Sequence, residues 1–250
     1  MALAAWAGWQ LRAPTPLVDL RLARGRTAVT AHLGALLVGL ANYLMLASVP
    51  QLAQTPESTG YGFGSSIVVA GLALLPFSLA SFLASRLARP LDRTGGPRAV
   101  LLAGALVLAA GDLLMGLWRD QLWMLFVDTA VAGLGVGAVF SALPGLITSA
   151  VPAAETGSAM SLNQVFRYIG FALGSALTGT LLEASTPAGQ AYSTSGGFRA
   201  IAFVACAAAL VFAIVAVVVP RRQPRRPDVP AAVREQDTAD AAAAPHGPVR

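Results

Sequence analysis

The chain has 250 residues, of which 56% are hydrophobic and only 12% charged, and its mean hydropathy is +0.65. A soluble domain carries about 25% charged residues, so this composition excludes a soluble globular protein. The net charge is +5 and all 17 basic residues are Arg; they cluster between long apolar runs instead of covering a hydrophilic surface, which excludes a nucleic-acid partner. Cys206 is the single cysteine, and His32 and His246 lie far apart, so neither a disulfide nor a metal site is expected. No Ser/His pair or His/Asp/Glu cluster is present, so no catalytic residue and no enzyme is expected either.

Residues 1–27 open with an apolar stretch at 1–11, about half a membrane span. Arg12 follows this stretch and nothing basic precedes it, which is the wrong order for a cleavable signal peptide. It reads as the end of a truncated preceding helix, stopped by Pro14 and Pro16, with an amphipathic connector at 17–24. Residues 28–219 then hold six apolar runs, at 28–50, 65–88, 99–118, 122–151, 158–182 and 198–219. Each is close to the ~20 residues that a bilayer-crossing helix needs. The expected fold class is an all-α integral membrane protein with six transmembrane helices. The fourth run is long enough to tilt or protrude, and Pro144-Gly145 is the natural site for a kink. Residues 220–250, rich in Pro, Ala and Arg, read as a disordered tail.

Arginine placement gives the orientation. Eleven Arg fall before the first run, between the second and third, or just after the sixth, whereas only Arg119 and Arg199 fall on the opposite side. By the positive-inside rule both termini are cytoplasmic.

Ionisable residues inside a span are costly and default to functional hypotheses. Three qualify: Asp112, Asp128 and Arg167. Asp112 and Asp128 each lie eight residues from the turn at Asp120, so they sit at equal height on an antiparallel pair. Facing each other, they would form a proton site; solvation by the headgroups or pairing with Arg119 is the structural alternative. Arg167 lies roughly 15 Å into the fifth run, near the bilayer midplane. Its helix face carries Asn163, Gly170, Gly174 and Thr178, with Gln164 beside it, which points to a cavity or a close neighbour helix. A buried Arg needs a partner, and Asp128 is the expected one, with a group outside this chain as the other possibility. Gly133, Gly137, Gly170 and Gly174 form small-xxx-small surfaces for helix packing.

These residues also carry a resemblance. The loop 88–98 contains Asp92, Arg93, Gly95 and Arg98, similar to the cytoplasmic Gly-x-Leu-Ala-Asp-Arg-x-Gly-Arg-Arg motif of the major facilitator superfamily, with Ala88 and Pro90 in place of the motif's first Gly and its Leu. Gly95 is expected to make the turn. The glycines of 133–137, the stretch 151–159 and the run from Asn163 to Gly174 resemble the fourteen-helix drug:proton antiporter branch, as does the connector from Pro16. The resemblance implies the C-terminal half of a transporter, one half-bundle of the major facilitator fold, with its first, second, fourth and fifth helices lining the cavity. Asn42 and Tyr43 of the first helix then join the lining. It implies export of hydrophobic or amphipathic small molecules, with no cofactor and the proton gradient as the energy source. It further implies a plasma or inner membrane location and a bilayer surround, with either a separate N-terminal half or self-association to complete the transporter. The alternatives are a non-transporting scaffold or assembly subunit, or an inactive transporter remnant.

Overall fold

A computed structural model of the protein describes residues 25–217 and Val219. The truncated helix and connector expected up to residue 24, and the tail expected at 220–250, lie outside the described residues.

Six α-helices make up the described chain: α1 (Arg26–Gln54), α2 (Ile67–Leu72), α3 (Leu75–Leu117), α4 (Leu122–Ala150), α5 (Thr156–Ala184) and α6 (Ser195–Ala216). Five intervals are long and apolar enough to cross a membrane, and one of them, Ile67–Leu117, spans 51 residues. As one straight helix it would be roughly 75 Å long, more than twice a hydrocarbon core of ~30 Å. It is divided at Gly96, whose φ of 70° and ψ of −176° are not helical. Side chains with a Cβ are excluded from that region, and Pro97 next to it is well suited to begin a new helix. The expected turn residue was Gly95, but Gly96 carries the positive φ; the motif's pattern marks the turn without saying which of two adjacent glycines must leave the helical region.

Contacts with α4 show that the chain reverses there. Gly133 and Gly137 of α4 abut the backbone of Phe77 and Ser81 in the first limb of α3, so that limb runs parallel to α4. Gly104 lies against Val139, Gly135 against Leu108, and Gly111 against Ala132, so the second limb runs antiparallel. The two limbs are therefore separate spans, and the bundle has six. Helix α4 is clasped between them. Its glycines at 133 and 137 share one face while Gly135 looks the opposite way, as helical geometry requires. The absence of Cβ atoms lets three backbones approach closely.

Helix α1 is central, packing on α5 and α6 and touching α4. Gly170 and Gly174 of α5 abut α1 at Leu36, Leu40 and Tyr43, which fixes α5 parallel to α1. The core lies among α1, the second limb of α3, α4 and α6, where Leu44, Leu101, Leu143 and Phe212 are completely buried. The first limb of α3 and helix α5 stand at the edge, with Leu79, Phe82, Leu87, Tyr168 and Leu173 exposed.

Two details differ from expectation. Helix α1 passes through Pro50 and ends at Gln54. The span expected at 65–88 is broken at Ala73–Leu74, between α2 and α3. Pro76, in the first turn of α3, has no N–H to continue the ladder back to Leu72. Helix α4 runs as one helix through Pro144.

Candidate functional site

Arg167 is the twelfth residue of α5, roughly 17 Å of helix rise from its start. Its side chain reaches α4, where its guanidinium carbon lies 3.8 Å from the centroid of the Phe140 ring. Such stacking contributes about 0.5–2 kcal/mol, more as water is excluded. The Arg167 Nε is buried and has no hydrogen-bond partner. The Arg167 carbonyl faces Gly39 of α1, where a Cβ would come within 2.9 Å of it, so the backbone at this point is pressed against α1. Helix α5 touches α4 far less than it touches α1. The arginine therefore bridges a gap between α4 and α5, and Ser141, Gly145 and Thr148 of α4 and Gln164 of α5 are exposed nearby along those helices.

Asp128 is not the partner of Arg167. The stacking sets Phe140 level with Arg167, and Asp128 is twelve residues from Phe140 along α4, which is roughly 18 Å of helix rise. An arginine side chain cannot cover that distance. Asp128 lies near the start of α4, far from its junction with α5, whereas Arg167 lies in the first half of α5, so the two sit at different heights on these neighbouring helices.

Asp128 instead belongs with Asp112. Both carboxylates are buried, at 3% and 1% exposure. The pairing of Gly111 with Ala132 puts Asp112 beside residue 131, so the two aspartates lie about one helical turn apart instead of at equal height. The Oδ2 atom of each is buried without a hydrogen-bond partner. Arg119 does not neutralise Asp112. Its Nη2 donates to the carbonyl of Ser195 at 2.6 Å, while burial, and next the neighbouring Arg199, lower its proton affinity below that of an ordinary guanidinium. Beside Asp128, the Thr129 hydroxyl donates to the carbonyl of Ala73 at 2.8 Å. The helix break between α2 and α3 is thus satisfied one residue away from a buried carboxylate.

Asn163 is buried, and its amide donates to the Ala31 carbonyl at 2.9 Å and lies 3.4 Å from His32 Nδ1. The His32 ring stacks on Phe166 with centroids 5.1 Å apart. Asn163 therefore ties α5 to α1, whereas Gln164 next to it is exposed. Asn42 is buried on α1 with its Oδ1 unpartnered. Tyr43, Phe171 and Tyr168 form an aromatic row with successive centroids 6.0 Å apart. In the loop motif, Asp92 and Arg93 are exposed at the end of the first limb of α3, and Arg98 is half-buried at the start of the second.

Phe140, His32 and Thr129 were missed in the sequence. Phe140 could have been found by counting equal heights on antiparallel neighbours; the other two give no sequence signal, because their partners are backbone or amide groups on distant helices. The site thus has two centres. A cation lies on an aromatic face between α4 and α5, suited to holding an anionic or π-rich group. Two buried carboxylates, one on the second limb of α3 and one on α4, are each suited to taking up a proton.

Comparison with known proteins places these features in context. The family model described as Major Facilitator Superfamily matches residues 31–246. The chain is 30% identical over 193 residues to a triacylglyceride transporter of Mycolicibacterium smegmatis, covering 72% of this chain and 33% of that protein. It is 31% identical over 185 residues to the multidrug resistance protein Stp of Mycobacterium tuberculosis, covering 73% of this chain and 33% of Stp. Among solved structures, the inward-open xylose transporter XylE of E. coli superposes with a TM-score of 0.64 at 16% identity, covering 88% of this chain and 56% of XylE; this likeness concerns the fold. The chain spans about a third of the length of these curated relatives.

Proposed function

The chain belongs to the major facilitator superfamily, and from that premise we propose that this multi-pass membrane protein is the C-terminal half of a proton-coupled exporter of hydrophobic or amphipathic small molecules. The observation that carries the reading is Arg167, a half-buried cation stacked on Phe140 with no acid in ion-pair contact among the described residues. Leaving a charge at the centre of a membrane protein is costly, and a scaffold has no use for one. In the proposed mechanism Arg167 and Phe140 face the substrate path together with Gln164, and Asn42 contributes from α1. Asp112 and Asp128 carry the proton. The mycobacterial relatives, a triacylglyceride transporter and a multidrug resistance protein, support an apolar or amphipathic cargo. We place the termini on the cytoplasmic side of the plasma or inner membrane from the arginine asymmetry, and we assign the chain to the fourteen-helix branch from its glycine and arginine run.

Alternating access requires two halves moving about a central site. The edge position of α5 and of the first limb of α3, with their exposed apolar side chains, is where a second half or a second copy of this chain would dock. The test is co-expression with an eight-span N-terminal half, followed by proton-driven efflux of an amphipathic dye from proteoliposomes. A defined complex with efflux that collapses when the proton gradient is dissipated is expected. A stable, monodisperse monomer that neither pairs nor transports would overturn the reading in favour of a scaffold.

A further inference from the structure

We infer that the end of the bundle opposite the Gly96 turn holds a binding site for a saccharide, either free or as the headgroup of a lipid. The loop between α1 and α2 and the loop between α5 and α6 flank an open cleft of about 500 Å³, within the range of small-ligand pockets of roughly 300–1,000 Å³. The first loop contributes Ser58, Thr59 and Tyr61, and the second contributes Gln190, Tyr192 and the hydroxyls of 193–195. No Asp, Glu, Lys or Arg is in this lining.

The walls are fixed. Gly64 N–H donates to the Thr55 carbonyl at 2.8 Å and Ser65 N–H to Ala53 at 2.9 Å, closing the first loop; Thr194 N–H donates to Ser185 at 2.9 Å, closing the second. The Tyr61 hydroxyl donates to the Ser193 carbonyl and joins the two loops, and its ring packs on Phe198 of α6. Arg119 holds the first residue of α6 from behind through the Ser195 carbonyl.

The lining selects one ligand chemistry. Its hydroxyl and amide groups both donate and accept hydrogen bonds, so an apolar ligand would bury them unpaired at a cost. A phosphate or carboxylate would call for a cation in the wall, but the lining holds none, and Arg119, whose Nη2 donates to the Ser195 carbonyl, is not part of it. A sugar ring fits both parts of the wall. Its hydroxyls match Gln190 and the hydroxyls of Ser58 and of 193–195, the Thr59 hydroxyl being used on its own loop, and its C–H face lies against an aromatic ring. Tyr192, half exposed and free of any ring partner among the described residues, offers that ring.

The inference does not depend on transport, and its test is made on the full chain in membrane fragments with both faces accessible. A diazirine-bearing alkyl glucoside is photolysed, and labelled peptides are mapped by mass spectrometry at equal protein level. We expect labelling around 190–195 that excess methyl glucoside competes away, that falls at least fivefold in Tyr192→Ala, and that returns in Tyr192→Phe, which keeps the ring. Labelling unaffected by methyl glucoside would mean partition into the lipid alone and would overturn the site. Equal labelling of Tyr192→Ala would do the same, as would stronger competition by inorganic phosphate than by methyl glucoside.

Discussion

Arg167 and the two aspartates are separate centres, and substitutions should separate them. Arg167→Lys keeps the charge but loses the planar group stacked on Phe140. In the assembled transporter we expect efflux to fall several-fold at unchanged protein level, and further in Arg167→Ala. Phe140→Leu should resemble Arg167→Lys, since it removes the other member of the stack. Efflux per molecule, measured with abundance in parallel, decides; a loss of abundance alone would make Arg167 a packing residue. For the carboxylates the expected effect on stability has the opposite sign. Asp112 and Asp128 are buried, with an unpartnered Oδ2 on each, so Asp128→Asn removes a charge that the fold does not compensate. Thermal stability should rise by about 1–3 kcal/mol while proton-driven efflux is lost. Because the two buried aspartates lie about one helical turn apart, the double variant should gain less than the sum of the single gains, which a double-mutant cycle measures.

Among the helices, the glycines sort into those that let backbones meet and those that do not. A Cβ at Gly135 would strike Leu108 and Gly104, and one at Gly170 would strike the Leu36 carbonyl. Gly135→Leu or Gly170→Leu should therefore cost at least about 1–3 kcal/mol through overpacking, or prevent folding. Gly179 has open space around the position of a Cβ, so Gly179→Ala should be neutral or stabilising by about 0.5–1 kcal/mol through helix propensity. Thermal melts in detergent of all three variants check the contrast. At the hairpin between the two limbs of α3, Gly96→Ala meets a backbone conformation with φ of 70° that L-residues avoid. A loss of about 1–3 kcal/mol is expected, again read from the melting temperature.

For the whole molecule, six spans put the Gly96 turn and the loop carrying Ser58 on opposite sides of the membrane. In a Cys206→Ser background, a cysteine at Ser58 should react with an impermeant thiol reagent applied outside the cell, and one at Thr94 should react only after permeabilisation. Both positions are exposed, so burial does not confound the result. The reverse pattern would invert the orientation drawn from the arginines. Dividing the bundle into a well-packed core and an open edge is a property of the whole fold: α1, the second limb of α3, α4 and α6 bury one another, whereas α5 and the first limb of α3 leave apolar faces bare.

The sequence by itself determined the membrane class, the number of spans and the glycine-rich helices, because hydropathy over about 20 residues and the lack of Cβ atoms are local properties that need no partner to be read. The family resemblance was also legible, since Asp92, Arg93 and the run from Asn163 to Gly174 are contiguous stretches. Which side chains meet was decided by the tertiary structure. Helix length and register place Arg167 on Phe140 and put Asp128 about 18 Å from it, and a two-sided clasp gives Gly135 a partner that the spacing of Gly133 and Gly137 does not reveal. The same holds for Gly96 over Gly95 and for Asn163, whose amide is used on the backbone of α1. Contact between distant helices depends on relative height and rotation, and a single chain's composition and periodicity constrain neither to better than about a helical turn.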